Sequence, residues 1–310
     1  MPEPRQLTGR VIKSFGKRFV VATDAGTFDC TLPGRFRLTD GKSLTPVAVG
    51  DQVTVRVDDP SNAVIQEVHP RRNKLSRPDS LRPEWEHVFV ANCDQMVAVA
   101  SLAQPPLRHG AIDRFLVVAE KNRMAGAVVL NKIDLVTAEA CRHSQEIFTR
   151  AGYPVVLTCA LDQRGLSELR ELVRGRTSIF VGHSGVGKSS LLNALDPGLT
   201  VRTGEVSEAT DRGVHTTTTV ELHPLSFDGY IADTPGLRAI GMWDVAPQEL
   251  PNLFREFVAH AGNCRFGNCV HIGEPDCAVL EAVNQGVIAR ERYDGYLRIR
   301  ESLLGPTRRR

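Results

Sequence analysis

The chain has 310 residues, 42% of them hydrophobic and 24% charged, and a formal net charge of +2, an ordinary globular composition with length for two or three domains. Its longest nearly apolar stretch, Met96 to Ala103, is too short to span a bilayer, and the N-terminus has no apolar export core, so the expectation is a cytoplasmic protein with no membrane association. Seven cysteines, three of them between Cys264 and Cys277, fit a reducing compartment with a local metal site better than a disulfide scaffold.

Residues 8–69 read as short strands separated by turn residues: Gly9–Ser14, Arg18–Thr23, Thr27–Leu32, Asp51–Val57 and Ala63–His69. Five such segments without a helical period predict a small closed β-barrel of the OB kind over residues 1–70, a fold that often binds RNA. A basic linker rich in Pro and Arg follows over residues 71–84. Lys and Arg outnumber Asp and Glu 14 to 10 in residues 1–84 and 9 to 7 in residues 250–310, against 15 to 19 between them. The flanks, not the centre, are where a polyanion would be met.

From residue 85 buried-strand runs (Gln95–Ala100, Gly126–Leu130, Val155–Thr158, Ser178–Val181, Gly229–Asp233) alternate with helical patterns (Ile112–Lys121, Ala138–Ala151, Ser189–Leu195). That alternation predicts an α/β domain over residues 85–246 with a mostly parallel sheet. Residues 247–310 read as helices around a Cys/His cluster.

Within the α/β region, Asn131-Lys132-Ile133-Asp134 is an N-K-x-D sequence after a strand. Its carboxylate would accept from guanine N1–H and the 2-amino group, a donor pair adenine lacks. Thr158-Cys159-Ala160, after the next strand, would back the base through a main-chain N–H. Gly182-His183-Ser184-Gly185-Val186-Gly187-Lys188-Ser189, continued by Ser190, is a complete phosphate-binding loop between strand and helix. Lys188 would reach the β- and γ-phosphates and act in catalysis, and Ser189 would ligate Mg²⁺. Gly213-Val214-His215 and Thr216 to Thr219 form a first switch whose Mg²⁺-closing threonine stays open. Asp233-Thr234-Pro235-Gly236 is a D-x-x-G element, Asp233 holding Mg²⁺ through water and Gly236 meeting the γ-phosphate. Leu237 stands where many GTPases orient water with Gln, which predicts slow intrinsic hydrolysis and makes His215 the candidate for the missing group. Cys264, Cys269, His271 and Cys277 have the spacing of a closed Cys3His site for one structural zinc ion.

An ordinary small GTPase runs phosphate loop, switch, DxxG, NKxD, base loop, whereas this chain begins at NKxD, so it is a circular permutant. Together these residues resemble the circularly permuted, ribosome small-subunit-dependent GTPase family RsgA, also called YjeQ. The resemblance implies an OB domain, a permuted GTPase domain and a zinc domain (residues 247–310). It implies a factor in late maturation of the small (30S) ribosomal subunit, acting as an assembly checkpoint, with GTP hydrolysis stimulated by the subunit and the two flanking domains on its rRNA. The family's catalytic histidine carries over onto His215, while Val214 replaces the family's switch arginine. A monomer is expected, and the rival reading, an RNA-binding module stabilised by nucleotide, leaves Lys188, Ser189 and Asp233 unexplained as a set.

Overall fold

The computed structural model describes residues 5–34, 36, 43–59, 62–79, 81–199, 220–233, 242 and 244–305. The chain divides into two compact units, residues 1–94, 173–179 and 198–243 in one and residues 95–172, 180–197 and 244–310 in the other.

The first unit opens with β1 (Arg5–Phe15), β2 (Arg18–Thr23), β3 (Gly26–Thr31), β4 (Gln52–Asp59) and β5 (Asn62–Val68). β1 pairs antiparallel with β2 and with β4, β2 with β3 and β4 with β5, and β3 runs parallel to β5. The order β1-β2-β3-β5-β4 therefore closes on itself as a five-stranded barrel. Alternation along the strands sends Val11, Phe19, Val21, Cys30, Val53, Val55 and Ile65 into its core. All five expected strands form.

Part of the segment read as linker is ordered: β6 (Lys74–Pro78) pairs antiparallel with β7 (Glu86–Ala91). Its partner strand lies a dozen residues on, and Glu86 binds both Lys74 and, at 2.9 Å, Ser76. Proline at the end of β6 breaks only the ladder's margin. The buried Asp51 carboxylate holds Arg71 through two bonds of 2.7 and 2.8 Å, which anchors the segment's start on the barrel.

In the second unit β8 (Gln95–Ser101), β9 (Ala125–Asn131) and β10 (Val155–Thr158) pair in parallel. α1 (His109–Lys121) and α2 (Ala138–Arg150) are the crossovers, and α3 (Leu166–Val173) follows. Every residue of β8 is buried, as a parallel strand covered on both faces requires. β11 (Thr177–Val181) leads into α4 (Lys188–Leu195).

The chain then returns to the first unit, where β12 (Glu221–Pro224) and β13 (Tyr230–Asp233) form an antiparallel pair. β13 runs parallel to Thr177–Ile179 of β11, and β12 meets β1 at Lys13 and Glu221. β12, four residues long, is too short to stand out as a periodic run. α5 (Arg255–Ala261), α6 (Ala278–Asn284) and α7 (Arg290–Leu304) complete the second unit around the Cys/His cluster. Among the described residues no helix is long and apolar enough to cross a membrane.

Within this unit α1, α5 and α7 meet on Arg292, which is 1% exposed. Its guanidinium donates to Glu256 at 2.6 and 3.2 Å and to Asp113 Oδ1 at 2.5 Å, and it lies 4.7 Å over the Phe254 ring. A Cβ on Gly295 would stand 1.9 Å from Asp113 Oδ2, so only glycine lets α7 come this close to α1.

Candidate functional site

The five residues of β11 are all buried, and the strand ends where Gly182 turns the chain. Gly182 has a φ of +152°, and a Cβ there would lie 2.2 Å from the Val99 carbonyl oxygen, so the loop starts pressed against β8. Gly187, at a φ of +90°, caps α4 in the left-handed region, and a Cβ on it would stand 2.5 Å from Asn131 Nδ2. Leu191, Leu192 and Leu195 are buried and fix the helix behind the loop. Lys188 Nζ donates to the carbonyls of Gly182 at 2.7 Å and His183 at 2.9 Å, which sets an ammonium inside the loop's curve. Ser189 sits half-buried in the first turn of α4, and Ser190 beside it is exposed. Loop amides, a helix N-terminus and an ammonium together make an anion cradle.

The neighbouring loop is locked to this one through a side chain. Asn131, 1% exposed at the end of β9, donates Nδ2 to the Val186 carbonyl at 2.9 Å and accepts from Thr158 Oγ1 at 3.1 Å. One carboxamide thus joins the loops after β9, β10 and β11. Lys132, at a φ of +62°, donates to the carbonyl of Gly185 at 2.7 Å and to that of Gln104. Ile133 opens a single 3₁₀ turn, Ile133–Leu135, that presents Asp134 to solvent.

In the loop after β10 the buried Cys159 amide donates to Arg164 O at 3.0 Å. Burial holds the Cys159 thiol above the ordinary cysteine range, with the Asp134 and Asp162 carboxyls adding to the shift. Arg164 grips Asp162 at 2.8 Å and lowers its carboxyl to about 2, stiffening the loop's far side.

The second constellation is the Cys/His cluster. The ligand atoms of Cys264, Cys269, His271 and Cys277 lie within 4.8 Å of one another. Cys264 Sγ is 3.9 Å from Cys277 Sγ, and His271 Nδ1 is 3.7 Å from Cys264 Sγ and 3.4 Å from Cys277 Sγ. A tetrahedral zinc with sulfur ligands at 2.3 Å has edges of about 3.8 Å, so these residues fit such an ion. The supporting shell is built to match. Glu274 accepts the amides of Val270 and Ile272 at 2.8 and 2.7 Å, and these bonds outweigh partial burial and pull its carboxyl down to about 2. From α7, Tyr293 donates to His271 O at 2.8 Å and Tyr296 to Val270 O. Such outer contacts hold ligands in orientation. With three thiols and one imidazole filling a tetrahedron, no position stays open for catalysis.

Comparison with known proteins is consistent along the chain. The family model for the RsgA GTPase matches residues 68–243, and that for the RsgA N-terminal domain matches residues 8–65. The chain belongs to the RsgA GTPase family. It is similar to a protein of Bacteroides fragilis called small ribosomal subunit biogenesis GTPase RsgA, 39% identical over 299 residues that cover 95% of this chain and 96% of the relative. It is likewise similar to the protein of that name from Thermotoga petrophila, 41% identical over 301 residues with the same two coverages. Among solved structures, YjeQ from Thermotoga maritima superposes with a TM-score of 0.83 at 37% identity, covering 98% of this chain and all of that one. YloQ, described as a circularly permuted GTPase, superposes with a TM-score of 0.78 at 29% identity and covers 99% and 98%.

As an RsgA-family member the protein is a GTPase with its sequence elements permuted. The structure brings Asn131, Thr158 and the Gly182–Ser189 loop together, with Lys132 across the loop and Asp134 at its margin. Asp233 ends β13. Val214, His215, Thr216 to Thr219, Gly236 and Leu237 lie outside the described residues. Sequence reasoning missed the bracing by Asn131 and the outer contacts of Glu274, Tyr293 and Tyr296. The single signal for the latter was two tyrosines three apart on a helix next to a Cys/His cluster.

Proposed function

We propose that this GTPase acts in biogenesis of the small (30S) ribosomal subunit, binding the subunit late in maturation as an assembly checkpoint and hydrolysing GTP slowly until the subunit stimulates it. Relatives 38–41% identical over 93% or more of both chains carry small-subunit biogenesis in their names, which supports the partner. The observation that carries the nucleotide reading is Asn131, which ties the base-reading and phosphate loops into one cleft. In this reading residues 131–134 and 158–160 take guanine, residues 182–190 with Gly236 take the phosphates, and Ser189 with Asp233 holds Mg²⁺. His215 orients water, and Lys188 carries charge in the transition state. The barrel of residues 1–70, the basic segment 71–84 and the C-terminal residues 247–310 flank the GTPase domain of residues 85–246, and the first and last meet rRNA. The protein works as a cytoplasmic monomer.

The test is steady-state GTP hydrolysis by the purified protein alone, with small subunits and with large subunits. Stimulation by small subunits alone is expected. An unchanged rate with tightly bound GTP would sink the subunit-activated mechanism.

The Cys3His cluster takes one structural zinc ion. Elemental analysis of the purified chain should give about one zinc per molecule, lost in Cys277→Ala together with the near-ultraviolet dichroism of Tyr293 and Tyr296. A Cys277→Ala protein that keeps its zinc would remove Cys277 from the ligand set.

A further inference from the structure

In the first unit β1 is eleven residues long and belongs to two structures. Arg5 to Arg10 lie opposite Val57 to Gln52 and close the barrel. Between Val11 and Lys13 the register against β2 shifts, and past this bulge Lys13 lies opposite Glu221 of β12. A bulge bends its strand and sharpens the twist, so here it turns β1 off the barrel and onto the sheet. Glu221 in turn lies opposite Asp233. Lys13, Glu221 and Asp233 therefore form one row across β1, β12 and β13. The Lys13 ammonium is paired with the Glu221 carboxylate, and His223 Nδ1 stands 3.7 Å from that same carboxylate.

The opposite end of β13 is gripped by the same strand. Tyr230, where β13 begins, lies opposite Thr177, where β11 begins. Arg10 donates to Thr177 Oγ1 at 2.5 Å, and its guanidinium lies 5.2 Å from the centre of the Tyr230 ring. Asp94 accepts the Thr177 amide at 2.8 Å, which fixes that residue from a second side. β13 is only four residues long, and β1 reaches its start through Arg10 and its end through Lys13 and Glu221. A partly exposed ion pair adds little to folding stability, so what Lys13 and Glu221 contribute is placement.

We propose that β1 transmits subunit binding on the barrel to the Mg²⁺ end of the GTPase site, with Arg10 and Lys13 as positioning residues for the stimulated reaction. The inference rests on the reading of the protein as a subunit-stimulated GTPase with Asp233 at Mg²⁺. Neither residue exchanges a proton or touches nucleotide. They act on where the Asp233 main chain stands. A misplacement of about 1 Å at a reacting group, caused from a distance, can cost on the order of 100-fold in rate. Because one strand holds both ends of β13, a displacement of β1 by a partner seated on the barrel moves that short strand as a unit.

The test uses the full-length protein, Lys13→Glu, Glu221→Lys, the double exchange of the two, Arg10→Ala and Arg10→Lys. Each is measured for GTP hydrolysis alone and with saturating small subunits, for co-sedimentation with the subunit, and for the Mg²⁺ concentration giving half the stimulated rate. Lys13→Glu, Glu221→Lys and Arg10→Ala should each lower the stimulated rate about tenfold and raise the Mg²⁺ requirement. Basal hydrolysis and subunit binding should stay within about twofold. The double exchange re-forms the pair in the opposite sense and should recover stimulation, as Arg10→Lys should in part. It also keeps the test readable where a single charge reversal disturbs folding. Stimulation of the single variants within about threefold of the parent would overturn the proposal, and so would a double variant as impaired as the singles. An unchanged Mg²⁺ requirement, or equal losses of basal and stimulated rates, would overturn it as well. Loss of subunit binding in step with stimulation would place these residues on the rRNA surface instead. A parent that small subunits do not stimulate would remove the subunit-activated reading and this proposal with it; a stimulated parent with stimulated variants removes the proposal alone.

Discussion

Arg292→Leu is expected to destabilise the protein by about 3–5 kcal/mol, because it removes the cation hydrogen-bonded to two buried carboxylates. Glu256 and Asp113 lose three hydrogen bonds between them, and among the described residues Asp113 Oδ2 already has no hydrogen-bond partner. Arg292 also supplies packing over the rings of Phe254 and Tyr153, at 4.7 and 5.6 Å, which leucine fills in part. The variant has a pH signature. Burial, opposed by Arg292, pushes the Asp113 carboxyl up to about 6 from 3.8, so the folded chain retains a proton there that the unfolded chain releases. That contribution is fully present below pH 3.8 and is lost as pH rises through 6. Without the arginine the carboxyl rises further, so the variant's deficit should shrink on acidification from pH 8 to 5. Urea denaturation at both pH values reads this, and a loss below about 1 kcal/mol at pH 8 would show that the triad is not a structural joint.

The second large effect is on nucleotide choice. Asp134→Asn should weaken GTP binding by about 1000-fold or more while leaving the phosphate loop intact. A carboxylate accepts twice from guanine, whereas an amide accepts once and sets its NH₂ against a donor. The same exchange suits xanthine, whose 2-position carries a carbonyl that can accept from that NH₂. Titration of Asp134→Asn with GTP and XTP is therefore expected to show a reversed order. Unchanged GTP affinity would take Asp134 out of base recognition.

The features visible in the sequence share a cause. A loop that wraps phosphate must bare its amides, so Gly182, Gly185 and Gly187 are forced into glycine at fixed offsets, and Lys188 must follow. The barrel was legible because turns at Asp24 to Gly26 and Gly50 cut the chain at regular intervals. Metal ligands declare themselves by element and spacing. What stayed hidden depends on partners far along the chain: Arg292 and Asp113 are 179 residues apart, and nothing local marks either as buried. Asn131 looked like one letter of a base-recognition motif, yet its side chain spends both ends on bracing. β6 was concealed because Arg77 and Pro78 lie in a stretch rich in both residue types that reads as a spacer, while its ladder is supplied by Glu86–Ala91.

The meeting of β1 with β12 carries a practical consequence. β12 bonds β13 on one side, and on the other Lys13 lies opposite Glu221, with their side chains joined as an ion pair. A strand end paired in this way is closed to foreign strands. Deleting the barrel would strip that partner and leave β12 as a bare sheet margin, open to pairing with the same margin of another molecule. The barrel is thus also a guard against self-association, and a GTPase fragment freed of it would trade solubility for simplicity.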